Sequence, residues 1–104
     1  MSRLDQLQQF LTEDPHDPFN IYALALEYRK LDTKKACQLF DQLLEEHQDY
    51  IPTYYHAGKL FQEIGEREKS SRIFETGIQL ARTKNDFKAL RELQAALNES
   101  LFDS

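Results

Sequence analysis

The sequence predicts an all-α protein of about six short helices, and three observations lead to this prediction. The chain has 104 residues with only three glycines and three prolines, too few for the turns of a many-stranded sheet. Good helix formers such as Leu, Gln, Glu, Lys and Ala fill most of it. Apolar side chains also recur at spacings of three and four residues along six segments, which is the period of one helix face.

Capping residues and prolines mark where each helix begins and ends. Ser, Asp and Asn side chains accept hydrogen bonds from the free N–H groups of a first turn, and proline is tolerated at the first helical position. Such start signals occur at Ser2, Asp17 with Pro18, Asp32 with Thr33, Pro52 and Asn85. Pro15 should stop the first helix, and Gly65 stands where a left-handed C-cap would end the fourth.

Six apolar stripes lie between these signals and make up the predicted core. In chain order they are Leu4, Leu7, Phe10 and Leu11; Ile21, Leu24, Ala25 and Tyr28; Ala36, Leu39, Phe40, Leu43 and Leu44; Tyr54, Ala57, Gly58, Phe61 and Ile64; Ile73, Phe74, Gly77, Ile78 and Leu80; and Phe87, Leu90, Leu93 and Leu97. Cys37, the only cysteine, falls within the third stripe and is expected to be a small buried side chain without a function.

The middle of the chain contains an internal repeat of 33 or 34 residues. Its equivalent pairs are Ala25 and Gly58, Tyr28 and Phe61, and Phe40 and Phe74, and the two copies span residues 18–50 and 51–84. Small residues on facing helices let an antiparallel pair approach closely, while aromatic residues fill the remaining space. We therefore expect close crossings of Ala25 with Ala36 and of Gly58 with Ser70.

The two copies resemble the tetratricopeptide repeat, in which a large residue, a Leu-Gly pair and an aromatic residue precede a small residue and a second aromatic. The second copy reads Tyr54, Ala57-Gly58, Phe61, Ser70 and Phe74, and the first reads Ile21, Leu24-Ala25, Tyr28, Ala36 and Phe40. The chain departs from the pattern in having no Trp, and in carrying Leu43 where the second copy has Gly77.

The resemblance implies antiparallel helix pairs stacked as a short right-handed superhelix, within a single domain of residues 1–104. Its parts would be an N-terminal half-repeat helix (2–15), repeat one (18–50), repeat two (51–84) and a C-terminal capping helix (85–101).

Resemblance to this family also implies a function, because stacked helix pairs of this kind form a concave surface that binds other proteins. The first helix of each pair would line that groove, with Phe19, Tyr22, Leu26, Arg29 and Lys30 from repeat one and Pro52, Tyr55, Lys59, Gln62 and Glu63 from repeat two. The expected ligand is a protein or peptide segment with apolar or aromatic side chains. Family members that hold chaperone C-termini use a clamp of Lys and Asn; the chain has Tyr22, Leu26 and His56 there, which disfavours a chaperone tail.

Charge and hydropathy argue against two other partner classes. The net charge is −5, and the basic residues are interspersed with acidic ones, so nucleic acid is not expected as a partner. The apolar runs are too short to span a membrane, and residues 1–9 are too polar for a signal peptide. The sequence therefore predicts a cytoplasmic protein with no membrane partner.

No catalytic, metal or cofactor site is expected either. Glu13 and His16 have the spacing of a helical di-iron ligand pair, but Pro15 breaks the helix between them and the motif occurs once. His47 and His56 lack metal-ligand spacing, and the chain has no glycine-rich phosphate loop. The leading hypothesis is a non-catalytic interaction module. Two alternatives stay open: a self-associating assembly subunit that forms a weak homo-oligomer, and a helical bundle that binds a cofactor.

Overall fold

The computed structural model describes residues 1–102, which form six α-helices and no β-strand, so the predicted all-α fold class is confirmed. The helices are α1 (Arg3–Glu13), α2 (Pro18–Leu31), α3 (Thr33–Glu46), α4 (Pro52–Glu63), α5 (Arg67–Thr83) and α6 (Phe87–Phe102). They fall into two compact units: an N-terminal unit from Met1 to Tyr50, and a C-terminal unit that begins at Ile51.

Local capping sets the helix boundaries of the N-terminal unit. The Ser2 hydroxyl accepts a hydrogen bond from the Asp5 N–H at 3.1 Å, and the Asp5 carboxylate accepts one from the Ser2 N–H, which completes a capping box. Asp17 caps α2 by accepting from the Phe19 N–H at 2.9 Å. Asp32 separates α2 from α3 and caps α3 through the Lys35 N–H at 3.2 Å.

The helix α1 runs antiparallel to α2 and is held to it at both ends. Near the start of α2, the Asn20 amide donates to the carbonyl oxygens of Phe10 and Asp14, each at 3.2 Å. Near its end, the Gln8 amide donates to the Tyr28 hydroxyl at 2.8 Å. These hydrogen bonds fix the position of α1, although Leu7 is the only side chain of α1 that is buried.

The core of the N-terminal unit lies where α2 packs against α3. Ala25 and Ala36 are both fully buried, as their predicted close crossing requires. Ile21, Phe40 and Leu43 are also fully buried around them. Burying side chains of this size is the main stabilising contribution to the unit.

In the C-terminal unit, two glycines allow the helices to approach closely. A Cβ atom at Gly58 would lie within 3.0 Å of three ring carbons of Phe74. The Ser70 hydroxyl donates to the Gly58 carbonyl at 2.7 Å, which confirms the predicted close crossing of these two residues. A Cβ atom at Gly77 would lie 2.6 Å from the Cβ of Tyr54 and 3.1 Å from Leu93 Cδ1, so α5 contacts both α4 and α6 at this position.

Residues in the left-handed conformation end α4 and α5. Gly65 has a φ of +89°, as its predicted C-cap role requires, and the following N–H donates back to Phe61. Asn85, predicted to cap α6, instead ends α5 with a φ of +58°. The helix α6 is capped by Asp86, whose carboxylate accepts from the Ala89 N–H at 3.1 Å. The prediction for Asn85 was wrong because Asn serves both as an N-cap and in the left-handed region.

Three members of the predicted stripes are exposed. Phe10, one turn after the buried Leu7 on α1, is 52% exposed. Ile64 and Phe87, each at the end of a helix, are 44% and 59% exposed. Cys37 is half-buried rather than buried. Conversely, Leu60 is buried on α4 although it lies outside the predicted stripe.

Candidate protein-binding surface

The predicted groove residues of repeat one form one side of α2. At 100° per residue, Phe19, Tyr22, Leu26, Arg29 and Lys30 fall on a single stripe, which we call the α2 stripe. The opposite side of the helix carries the buried residues Ile21, Leu24 and Ala25. None of the stripe residues is buried: Phe19 and Lys30 are exposed and the other three are half-buried. The helix therefore presents an aromatic surface that its own unit covers only in part.

Tyr50 extends the α2 stripe across the turn that follows α3. Its ring lies 5.6 Å from that of Tyr22, centroid to centroid, in an edge-to-face arrangement with an interplanar angle of 66°. Burial raises the pKa of the Tyr22 hydroxyl, with a further contribution from Tyr50. Burial likewise raises the pKa of Tyr50, and the nearby Asp17 carboxylate adds to the shift. The start of the stripe is therefore a pair of neutral tyrosines beside a carboxylate.

The predicted groove residues of repeat two form the corresponding side of α4. Tyr55, Lys59, Gln62 and Glu63 share one stripe, here called the α4 stripe. The first three are half-buried and Glu63 is exposed. The Tyr55 ring lies 5.3 Å from the His56 ring at 82°. Pro52 begins the helix and is exposed. This surface is more polar than the α2 stripe, with a single aromatic residue among its members.

Sequence reasoning missed two members of the aromatic cluster on the N-terminal unit. Tyr50 lies outside any helix, so no helical period connects it to Tyr22. Asp17 was assigned only a capping function, which it does perform. The one available signal was the high density of aromatic residues close to Pro18 and Pro52, and it does not specify which rings meet.

Residues with catalytic or metal-binding potential are not brought together in the described part of the chain. No group of three or more His, Cys, Asp or Glu side chains within residues 1–102 could hold a metal ion. Glu13 ends α1, where its carboxylate accepts from the Gln9 amide at 3.2 Å, and His16 lies exposed in the next turn. No helix within the described residues is long and apolar enough to cross a membrane.

A separate open cleft lies between α5 and α6. Its volume is about 480 Å³, and Ile78, Arg82, Gln94 and Leu97 are among its lining residues. None of the predicted groove residues lines this cleft, which makes it a useful reference surface for binding experiments.

The fold and these surfaces define a helical-repeat protein built from antiparallel helix pairs. Two of the solved structures to which this chain is similar are of a tetratricopeptide repeat domain protein from Salinibacter ruber. The crystal structure is 39% identical, covers 81% of this chain and 96% of its own, and has a TM-score of 0.77. The solution NMR structure is 41% identical over 84% of this chain and 89% of its own, with a TM-score of 0.79.

Identity at this level over most of both chains shows the family: the protein belongs to the tetratricopeptide repeat family. No family model matches the chain, and no curated protein matches it. Helical-repeat modules of this family typically mediate protein–protein interaction.

Proposed function

We propose that the protein is a non-catalytic adaptor that binds a peptide or protein segment along the α2 stripe of its N-terminal unit, and that the α4 stripe is a binding surface of the C-terminal unit. The observation that carries this proposal is the exposure of Phe19, at 57%, beside the half-buried Tyr22 and Leu26 on a helix whose other side is fully packed. Aromatic residues and Arg are enriched at the centres of protein interfaces, and they dominate binding energy there.

The preferred ligand segment carries apolar or aromatic side chains. Such side chains would cover Phe19 and Leu26 and stack against Tyr22, and removing apolar surface from water favours association. A segment recognised only through a terminal carboxylate is disfavoured, because the α2 stripe has no Lys or Asn at Tyr22 or Leu26 with which to clamp it.

Selection from a random peptide library displayed on phage tests this proposal with a matched pair of variants. Phe19→Ala and Phe87→Ala each remove one phenyl ring of nearly equal exposure, 57% and 59%, from the first turn of a helix. Only Phe19 lies on the α2 stripe, so the two variants separate loss of a binding surface from a general loss of apolar area.

We expect peptides selected on the wild-type chain to bind Phe19→Ala about fivefold or more weakly, because truncating an aromatic residue that anchors an interface costs more than about 1 kcal/mol. Their affinity for Phe87→Ala should stay unchanged. Equal binding to both variants, or failure to select any peptide, contradicts the proposal. Circular dichroism of both variants verifies that the helices remain intact.

A further inference from the structure

The N-terminal unit carries opposite charges at its two ends. One end holds the end of α1, the start of α2 and the end of α3, because these helices run antiparallel; its charged residues are all acidic, namely Glu13, Asp14, Asp17, Glu45, Glu46 and Asp49. The other end, where α1 begins and α2 passes into α3, carries five basic residues and three acidic ones, so it is net basic: Arg3, Arg29, Lys30, Lys34 and Lys35 against Asp5, Glu27 and Asp32. The unit is therefore an electric dipole along the α2 axis.

The charges on α3 oppose the dipole of their own helix. A helix N-terminus favours acidic side chains and a C-terminus favours basic ones. The first turn of α3 instead contains Lys34 and Lys35, and its last turn contains Glu45 and Glu46. This order weakens α3, so helix stability does not account for the charges on α3. On α2 the order is the favourable one, with Asp17 at the N-cap and Arg29 and Lys30 in the last turn. Complementarity to a charged ligand would account for the charges on α3.

Both ends of this dipole reach the α2 stripe. At the basic end, Lys30 is itself a stripe residue and is exposed. At the acidic end, Asp17 lies beside Tyr50, whose ring contacts Tyr22. A cationic side chain placed there would meet one carboxylate and two tyrosine rings, and tyrosine rings attract cations through their faces.

We propose that the α2 stripe selects an extended segment with a basic residue at one end, an acidic residue at the other and apolar residues between them. The basic side chain binds among Asp17, Tyr22 and Tyr50, the apolar one covers Leu26, and the acidic one pairs with Lys30. This inference rests on the proposed function and specifies the chemistry of its ligand.

The length of α2 sets the spacing of the two charges in the ligand. Asp17 and Lys30 are 13 positions apart in the sequence, or about 20 Å at a rise of about 1.5 Å per residue. An extended peptide advances about 3.3 Å per residue, so about six residues cover this distance. Charges two residues apart would leave one end of the stripe unpaired.

A series of fluorescein-labelled peptides tests the spacing directly by fluorescence anisotropy. Each peptide has an alanine background with a central leucine, one Arg and one Glu separated by two to ten residues. Companion peptides carry Gln in place of the Arg, of the Glu, or of both. The tightest binding should occur at separations of five to seven residues. It should weaken by about twofold to fivefold when either charge is replaced, the range of one exposed ion pair, and it should weaken further as salt is added.

Two charge-removing variants then test which end of the α2 stripe binds which charge of the peptide. Asp17→Asn keeps a good N-cap and should weaken only peptides that contain the Arg, whereas Lys30→Gln should weaken only peptides that contain the Glu. Lys88→Gln and Glu92→Gln, exposed on α6, are the matched controls and should change nothing.

The possible results separate this inference from the proposed function. Binding without a spacing optimum, or an equal effect of Asp17→Asn on peptides with and without Arg, overturns the charge arrangement and leaves peptide binding intact. Failure of every peptide in the series also overturns it, while the phage selection decides the proposed function separately. If sedimentation shows that the chain self-associates and that Asp17→Asn and Lys30→Gln abolish this, the dipole serves a second copy and the inference is wrong.

Discussion

Replacing Gly58 with alanine should destabilise the C-terminal unit, although alanine is the better helix former. The new Cβ atom would lie within 3.0 Å of three ring carbons of Phe74. That ring is fully buried, so it has no free space into which to move. The helices would have to separate, which would also lengthen the 2.7 Å hydrogen bond from Ser70 to the Gly58 carbonyl.

One favourable and two unfavourable contributions to the free energy of unfolding determine the size of the effect. Alanine in a helix interior is favoured over glycine by about 0.8–1.0 kcal/mol. Overpacking a tight core costs about 1–3 kcal/mol, and weakening one buried hydrogen bond costs about 0.5–1.5 kcal/mol. The net expectation is a loss of about 0.5–3.5 kcal/mol, opposite in sign to the effect of helix propensity alone.

Urea denaturation followed by circular dichroism measures this change, and a second substitution verifies its cause. Phe74→Leu removes the ring atoms that the Cβ at position 58 would meet. In that background Gly58→Ala should be close to neutral or stabilising, because only the helix propensity contribution remains. A stabilisation of about 1 kcal/mol by Gly58→Ala in the wild-type chain, or an equal loss in both backgrounds, refutes the reasoning.

Three further changes have predicted outcomes. Thr53→Val should leave stability unchanged or raise it by about 1 kcal/mol in urea denaturation, because the buried Thr53 hydroxyl has no hydrogen-bond partner among the described residues; a loss above that size would reveal a missed partner. Folding raises the pKa values of Tyr22 and Tyr50 above their ordinary value of 10.0, so the folded state favours the neutral hydroxyls. The stability that this contributes is present below pH 10.0 and is lost as the pH rises through the raised pKa values. Tyr22→Phe should therefore reduce the loss of unfolding free energy in alkaline solution, and an unchanged pH profile argues against the cluster. A chain ending at Lys84 lacks α6 and exposes the apolar side of α5, so it should associate in light scattering and lose helicity per residue; a monomeric chain of unchanged helicity would show that α6 is not a cap.

Much of the fold could be predicted because its signals are local or periodic. Ser2, Asp17 and Gly65 act within a few residues of their own position, so their helix boundaries follow from sequence alone. The crossing of Gly58 with Ser70 was predictable because the first copy of the repeat also has small residues, Ala25 and Ala36, at the equivalent positions, and a small residue in both copies indicates a close approach of helices.

What sequence could not provide depends on contacts between distant residues. The edge-to-face contact of Tyr22 with Tyr50 joins a helix to a turn 28 positions away. No helical or repeat periodicity in the sequence indicates this contact. Phe10 and Phe87 are exposed although they belong to apolar stripes, because a stripe indicates which side of a helix is apolar and not whether a neighbouring helix covers each residue on it. Asn85 was compatible both with an N-cap of α6 and with a left-handed residue that ends α5. Asp86 forms the N-cap of α6, and Asn85 therefore ends α5.

The central claim is that the α2 stripe binds the ligand, and NMR titration of the ¹⁵N-labelled chain with a selected peptide tests it most directly. We expect the largest amide shifts at Phe19, Tyr22, Leu26 and Lys30, and we expect Phe19→Ala to remove them. Shifts concentrated around Ile78 and Leu97 would contradict it, because they would place the ligand in the cleft between α5 and α6.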